Sequence, residues 1–526
     1  MPHTRTKVSR GEDFSITADS EIPFPPVLSV GRGTPLLVGG WCRPASTEER
    51  IAKIEISVDG LRSEPMSYGL PRKDVYRQAI SEGANAPEAR AAFESGFVAV
   101  AEIPPRAAGR TVPVEVIATS RSGKEASHLL AEIPLDPDPD PGPEVAWPEG
   151  ESGPRVAVCM ATYSPNPDLF ARQIESLKAQ THRNWFCLIS DDEATPQSLE
   201  LIERTIGGDP RFKVSQSEER LGFYSNFERA LGMVPDSAEL IALADQDDRW
   251  ESHKLSSLIE AVEPESAMLA YSDARVVTED DSLIHSSYWS LGRHNNHTNI
   301  ASLIVANTIT GAASVFKPEV LRFALPFPHT PVNCFHDHWI GCVALALGEI
   351  VYVDEPLYDY VQHGEAVIGF DVVMSGLNDE RARPIRSLVT TLRDTAASVR
   401  SDPARLASSR FLPMTYYFGS TRLIVLAAAV RMRCGAVMTG AKYRAVRRLE
   451  TSDQSLTSFL YLLARRFRRF VGLNETTDIE RTRAKGLLWR RVIQVRTRLQ
   501  RDPERIESDA RVPLLEEALP GEAARL

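Results

Sequence analysis

The chain has 526 residues, 43% apolar and 25% charged, with a formal charge of −11. That is the balance of a soluble globular protein, and the length asks for about two to four domains rather than one core. The negative charge argues against a general nucleic-acid binder, although the arginines concentrate between about Arg381 and Arg501 while the acidic residues lie in the front and middle.

The opening Met1-Pro-His-Thr-Arg-Thr-Lys7 has no apolar h-region, so no secretory signal is expected. Residues 1–24 are polar and are expected to be disordered. From residue 25 to 137, short alternating runs are broken by turns: Pro35–Trp41, Ile51–Val58, Gly96–Ile103 and Val112–Ala118, with Asp59-Gly60 and Ser122-Gly123 as turn signals. Strands at this spacing predict an immunoglobulin-like β-sandwich, an accessory domain with no cluster of catalytic residue types. Residues 138–154 are rich in Pro and Asp and read as a stiff, self-repelling linker, or else as a surface loop.

At Arg155 the pattern changes to β-α-β. Val156–Ala161 is a buried-strand run, Asn166-Pro167-Asp168 starts a helix, and Phe170, Ile174 and Leu177 share one face of it. Trp185–Ser190 is the next strand. Leu199, Ile202 and Ile206 mark a helix, Leu240–Leu243 another strand, and Leu255, Leu258 and Val262 another helix. This alternation predicts a parallel α/β sheet, Rossmann-like in layout, over residues 155–370, with ligands at the strand C-termini. Residues 371–508 read as an Arg-rich helical region and 509–526 as a loose acidic tail. Leu423–Val430 is the longest apolar run there and is too short to cross a membrane. Ser458–Val471 mixes bulky apolar residues with Arg, and either lies on an anionic membrane surface or packs with a solvated Arg face. The six cysteines are scattered without metal-type spacing and read as reduced, packed thiols.

The chemistry gathers at strand ends: Thr162-Tyr163, Asp191-Asp192 and Asp245-Gln246-Asp247-Asp248. Parallel strands bring such ends to one edge. Three carboxylates in four residues repel unless a cation or donor cluster answers them, and oxygen ligands suit magnesium or manganese. A solvated acidic turn is the plainer alternative. Two more clusters follow, His336-Asp337-His338-Trp339 and Tyr360-Val-Gln-His363-Gly364, while the His-rich stretch Arg293–His297 fits no standard metal spacing.

Read together, Ala161-Thr-Tyr163, Gln180–Trp185, Ser190-Asp-Asp192, Leu221-Gly222 with Asn226-Phe227, Asp245–Trp250 with Lys254-Leu255, Asn307–Gly311, His336-Asp337 with Trp339, and Gln362-His363-Gly364 resemble an inverting family 2 glycosyltransferase of GT-A fold and bacterial rhamnosyltransferase-like kind. The resemblance covers roughly residues 155–370. It implies that Thr162 and Tyr163 line a nucleobase slot, that Asp191 or Asp192 accepts a hydrogen bond from the base, and that Asn226 belongs to the same donor-nucleotide set. Asp245 and Asp247 would be the DxD pair, Asp247 for a Mn2+ or Mg2+ ion and Asp245 for the ribose or metal side. Asp337 would be the general base, His363 a metal or phosphate contact, and His336 and Trp339 acceptor-side residues. The partners implied are a nucleotide-sugar donor (dTDP-rhamnose or a UDP-sugar), a glycan or lipid-linked acceptor in cell-surface polysaccharide synthesis, and peripheral membrane contact through the Arg-rich helices; the place implied is the cytoplasm, at or near the inner face of the plasma membrane. Two departures stand out: Glu193-Ala194 replaces the usual Gly-Ser, and Gly364-Glu-Ala-Val follows His363 where relatives often carry Asn. Two rival readings are a glycan- or nucleotide-sugar-binding protein with little turnover, and a metal-dependent nucleotidyl transferase. The second lacks a Gly-rich phosphate loop.

Overall fold

The computed structural model describes residues 14–46, 49–106, 109–135, 147–193, 195–289, 296–329, 335–362, 415–465, 467 and 479–499. Residues 1–13, Arg293–Asn295, His363, 371–414 and the tail, for which the sequence raised expectations, lie outside the described residues, as does most of the Pro/Asp-rich stretch.

The front of the chain forms two four-stranded antiparallel sheets. Strands β1 (Ile16–Ser20), β2 (Thr34–Pro44), β3 (Ile51–Val58), β4 (Leu61–Ser63), β5 (Ser67–Leu70), β6 (Gly96–Ile103), β7 (Thr111–Ser120) and β8 (Glu125–Pro134) divide into the orders β1-β2-β6-β5 and β4-β3-β7-β8. Alternate residues of both sheets enter one core: Leu36 and Val38, Ala99 and Ala101, Ile54 and Ile56, Val114 and Val116. A large apolar side chain contributes about 1.5–3 kcal/mol when fully buried. The turn at Asp59-Gly60 has both residues at positive φ, +50° and +81°, as its sequence requires. Two helices between β5 and β6, α1 (Lys73–Ser81) and α2 (Ala86–Phe93), were not expected. Asn85 and Glu88 close a capping box on α2, a signal the strand periodicity around it obscured.

The second unit is a mixed α/β sheet. Its strands are β9 (Val156–Thr162), β10 (Trp185–Asp191), β11 (Phe212–Gln216), β12 (Leu240–Ala244), β13 (Arg249–Trp250), β14 (Ala267–Thr278), β15 (Leu283–His285), β16 (Ser314–Phe316) and β17 (Glu349–Gln362). The order is β11-β10-β9-β12-β16-β14-β17-β13. Only β11-β10-β9-β12 and the β14-β17 pair are parallel; β16 runs antiparallel to both its neighbours. The expectation of a parallel sheet therefore holds for half of it. Helices α3 (Pro167–Lys178), α4 (Pro196–Ile206), α5 (Phe223–Gly232), α6 (Lys254–Val262), α7 (Ile300–Val305), α8 (Leu321–Ala324) and α9 (His336–Leu347) complete the unit. Asn166 caps α3, accepting from Asp168 and Leu169 N–H, with Pro167 in the first turn.

The described C-terminal helices are α10 (Thr421–Cys434), α11 (Gly440–Glu450), α12 (Leu456–Arg465) and α13 (Ile479–Leu499). They bridge the other two units. Arg433 is 3% exposed; its guanidinium donates to Val30 and Gly33 carbonyls in the front unit and to Phe323, Ala324 and Leu325 carbonyls in the sheet unit. Asp453 is buried between Tyr416 and Arg490, and Tyr416 shares a hydrogen bond with Ser67. Arg433 and Arg490 are thus interior ties. The described cysteines Cys42, Cys159, Cys187, Cys342 and Cys434 are free and buried. Among the described residues, no helix is long and apolar enough to cross a membrane.

Candidate active site at the sheet edge

β9, β10 and β12 run parallel and in register, Asp191 opposite Thr162 and Ala244 opposite Met160. Their C-terminal ends therefore meet at one edge. Three side-chain ties fix that edge. Gln246 grips the backbone of Tyr163, accepting from its N–H at 2.9 Å and donating to its carbonyl at 3.1 Å. Asn226 on α5 donates to the carbonyls of Thr162 (3.1 Å) and Ser190 (3.0 Å), leaving its own oxygen without a hydrogen bond among the described residues. Asp192 accepts from the N–H groups of Leu221 (2.6 Å) and Gly222 (2.8 Å). Gly222 sits at φ +80°, ψ 159°, a conformation open essentially to glycine alone, and starts α5 there.

The residues expected to form a nucleobase slot divide into two kinds. Tyr163 is 43% exposed and stacks under Arg220, whose guanidinium carbon lies 4.2 Å from the ring centroid. Thr162, Asp191 and Asn226 are buried. Asp191 accepts from Thr162 Oγ1 at 3.0 Å and from Gln216 Nε2 at 2.9 Å. These three, expected as nucleotide contacts, are buried and hydrogen-bonded within the strand ends, while Tyr163 is the exposed one of the four; alternation alone cannot tell a strand-end side chain that faces outward from one that turns in. Gln216 was missed, since nothing in its spacing marks it, and Gln246 was quoted within the acidic run but given no role.

The acidic run follows β12. Asp245 is half-buried, and burial, Asp247 and Asp337 together push its carboxyl up to about 7, against the pull of Lys254. Asp248 is 1% exposed, and neither of its oxygens has a hydrogen bond of good geometry among the described residues. Burial, Asp245 and Asp247 raise it well above the carboxylate range, with Lys254 and the Val361 backbone pulling the other way. Lys254 is fully buried; its ammonium lies 3.4 Å from the Trp250 ring centroid and 4.8 Å from that of Tyr358, and donates to the Ala312 carbonyl. Burial lowers it well below its ordinary value, opposed by Asp248 and Asp245. The run is therefore not a solvated turn. The one buried ammonium acts on Asp248 and Asp245, and the run of three carboxylates keeps an excess of negative charge that a hard divalent cation would answer. Among the described residues no three His, Cys, Asp or Glu side chains form a ready cage. An ion held here would take carboxylate oxygens from the chain and complete its shell elsewhere.

Asp337 lies in the first turn of α9. It accepts from Asn307 Nδ2 at 3.0 Å, His338 N–H at 2.6 Å and Gly311 N–H at 3.3 Å. Burial nevertheless raises its carboxyl to about 7; those donors and Arg422 act in the lowering direction. The charge of Asp337 is felt at Asp245, so the acid on α9 lies within electrostatic reach of the run after β12. Asn307 and Gly311 were quoted in the sequence as part of a motif but given no role; they are the acid's hydrogen-bond partners.

His336 and Trp339, expected on the acceptor side, are both buried. His336 stacks on Phe227 with centroids 3.7 Å apart, and burial lowers its imidazole to about 3. A Cβ at Gly311 would come within 2.6 Å of its Nε2, so that close approach requires glycine. Trp339 is fully buried, its indole N–H donating to the Ala324 carbonyl at 2.9 Å. An N-terminal helical turn shows only part of its circumference to the site, and Asp337 takes that part. His338 is buried, its Nε2 2.7 Å from the Leu303 carbonyl.

Residues 157–322 match the family model for Glycosyl transferase family 2. The chain is 28% identical over 136 residues to the uncharacterized protein y4gI of Sinorhizobium fredii, covering 26% of this chain and 14% of that one. It is 27% identical over 222 residues to the uncharacterized glycosyltransferase alr2836 of Nostoc, covering 40% of this chain and 65% of that one. It is 26% identical over 170 residues to the UDP-Glc:alpha-D-GlcNAc-diphosphoundecaprenol beta-1,3-glucosyltransferase WfaP of Escherichia coli, covering 31% and 65%. The chain thus spans 14% of the first of these relatives and just under two thirds of the other two. The solved structure of S. aureus TarS 1–349 with UDP-GlcNAc aligns with a TM-score of 0.34 at 15% identity, covering 57% of this chain and 91% of that one.

Proposed function

We propose that this chain, which carries a family 2 glycosyltransferase segment over residues 157–322, is an inverting glycosyltransferase that moves a sugar from a nucleotide-sugar donor to a hydroxyl of a cell-surface glycan or its lipid-linked precursor. The observation that carries the reading is the meeting of two kinds of acid at one edge. A carboxylate-rich run follows β12, and a single hydrogen-bonded acid from α9 lies near enough to disturb it. The first suits a departing diphosphate held through a cation, the second a proton acceptor.

In this reading the exposed Tyr163, with Arg220 above it, flanks the donor base, while Asp191, Thr162 and Asn226 keep the slot's floor rigid. Asp247 and Asp245 would hold Mn2+ or Mg2+, which when bound neutralises charge on the leaving diphosphate. Asp337 takes the proton from the acceptor hydroxyl as that oxygen attacks the anomeric carbon from the face opposite the diphosphate, which inverts the centre. A carboxyl raised to about 7 is a stronger base than an ordinary one and is still ionised in part at neutral pH. dTDP-rhamnose and UDP-sugars are the donors to test first. His363 remains the proposed further contact to the metal or phosphates.

The front unit, of β-sandwich type, and the C-terminal helices serve as accessory parts. On α12, Leu456, Leu460 and Leu463 are exposed at helical spacing; on α13, Leu488, Val492, Val495 and Leu499 repeat the pattern. Arg444, Arg447, Arg448 and Arg498 are exposed on these helices and on α11. Apolar stripes among cations fit an anionic lipid surface, which would bring a lipid-linked acceptor to the enzyme. A low-turnover binding protein would have no use for the acid on α9. Substituting Asp337→Asn separates the readings: transfer should fall about 10²–10⁴-fold while donor binding, read by thermal shift with manganese, persists. Full transfer by that variant would remove the base from the mechanism.

A further inference from the structure

Most interior arginines of this protein are answered. Arg72 meets Glu21 and Asp74, Arg431 meets Glu102 and Glu450, Arg490 meets Asp453, and Arg433 is held by five carbonyls. Two are not. Arg422, in the first turn of α10, and Arg483, on α13, are half-buried and have no carboxylate or hydrogen-bond acceptor on their guanidinium groups among the described residues.

These two lie together beside the proposed base. The guanidinium carbon of Arg422 is 5.8 Å from the ring centroid of Phe335, the residue that precedes α9 and stands two positions before Asp337. Phe335 in turn lies against Phe223, centroids 5.6 Å apart, at the start of α5 where Asp192 fixes the chain. Arg483 lies flat on the backbone three residues before Arg422: a Cβ at Gly419 would collide with its Nη1. Ser420 holds the α13 backbone in place, donating to the Arg483 carbonyl at 3.1 Å. Arg422 depresses Asp337, and burial together with Arg422 lowers Arg483 to about 10. Two partly desolvated cations that repel each other, with no counter-ion of their own among the described residues, make a place for an anion.

We propose that Arg422 and Arg483 form an anion subsite for the acceptor, a two-arginine clamp that takes a phosphate group borne by the acceptor sugar while Asp337 faces its hydroxyl. This rests on the glycosyltransferase reading and deepens it: the acceptor is a phosphorylated or diphosphate-linked sugar, not a neutral one. Two planar forks of five donors each match the several oxygens of a phosphate better than the two of a carboxylate. The donor's own phosphates are assigned elsewhere, to the run after β12. The clamp comes from the C-terminal helices, so acceptor choice is set by a part of the chain outside the matched family segment.

The test uses the full-length protein saturated with manganese and whichever nucleoside diphosphate stabilises it most, so that the donor pocket is filled. Glucose 1-phosphate and N-acetylglucosamine 1-phosphate, their methyl glycosides and inorganic phosphate are titrated by calorimetry. At least one sugar phosphate should bind about tenfold or more tightly than its methyl glycoside, and Arg422→Gln and Arg483→Gln should each remove about that factor. Arg422→Lys and Arg483→Lys should retain part of it, and unchanged circular dichroism confirms that the variants are folded. Equal binding of phosphate and methyl glycoside, or wild-type affinity in both Gln variants, overturns the clamp. Inorganic phosphate binding as tightly as either sugar phosphate overturns its assignment to the acceptor. Donor hydrolysis by the wild-type protein is measured alongside. If it fails while sugar phosphate still binds through the arginines, the transferase reading falls and the subsite stands.

Discussion

Asn307 donates from Nδ2 to Asp337 Oδ1 at 3.0 Å, and the same amide group bonds the Ile309 carbonyl at 2.8 Å. Its oxygen accepts from Ile309 N–H at 2.9 Å, so one side chain shapes the 307–311 loop and steadies the ionised acid. Asn307 is therefore a positioning residue. Asn307→Ala removes a donor to the charged form, which should move the acid's pKa further up. The expected result is a transfer rate reduced about threefold to tenfold near pH 6.5 and nearly recovered above pH 8. A loss equal at every pH would mean that Asn307 only holds the loop.

Asp337 also links pH to stability. Its folded-state pKa is raised to about 7 by burial. Between the ordinary carboxylate range and pH 7 the folded chain keeps a proton that the unfolded chain has released, so this group lowers stability as pH rises through that window. Asp337→Asn lacks the effect. Its melting temperature relative to wild type should climb from pH 5 to pH 8, and a constant difference would contradict the raised value.

Arg433 joins all three parts of the chain through five carbonyls. Arg433→Met keeps much of the volume but leaves those acceptors buried and unmet, at about 1–3 kcal/mol each where water cannot reach. A loss of several kcal/mol in chemical denaturation is expected, with the front sheets becoming protease-sensitive. A change below about 1 kcal/mol would show that the carbonyls find other donors.

The exposed stripes on α12 and α13 are tested with Leu460→Glu and Val495→Glu. Each should weaken sedimentation with vesicles rich in anionic lipid by about tenfold, with little change in melting temperature, since one apolar contact exchanged for a like charge costs about one to two kcal/mol of surface affinity. Unchanged sedimentation, or none by the wild-type protein, would set the membrane reading aside.

Much of this was legible because buried strands announce themselves. Val156–Thr162, Trp185–Asp191 and Leu240–Ala244 appear as apolar runs ending in polar clusters, and the structure brings those ends together. What failed to show was direction and facing. The antiparallel β16 is three residues long, too brief to carry a pattern. Thr162, Asn226, His336 and Trp339 sit beside the site's motifs yet turn inward, and only the packing of α5 and α9 decides that. Asp248 looked like one acid among three; the structure makes it the most enclosed of them, next to a buried lysine whose apolar helix gave no hint of it. Arg422 and Arg483 lie far along the chain from the sheet they approach, so no local spacing could associate them with Asp337.

The most direct measurement is metal-dependent release of nucleoside diphosphate from dTDP-, UDP- and GDP-sugars by the wild-type protein and by Asp247→Asn. At least one donor should be cleaved with manganese or magnesium, cleavage should stop with chelator, and the variant should be about a hundredfold slower. No cleavage of any donor by the wild type, or undiminished cleavage by Asp247→Asn, would contradict it.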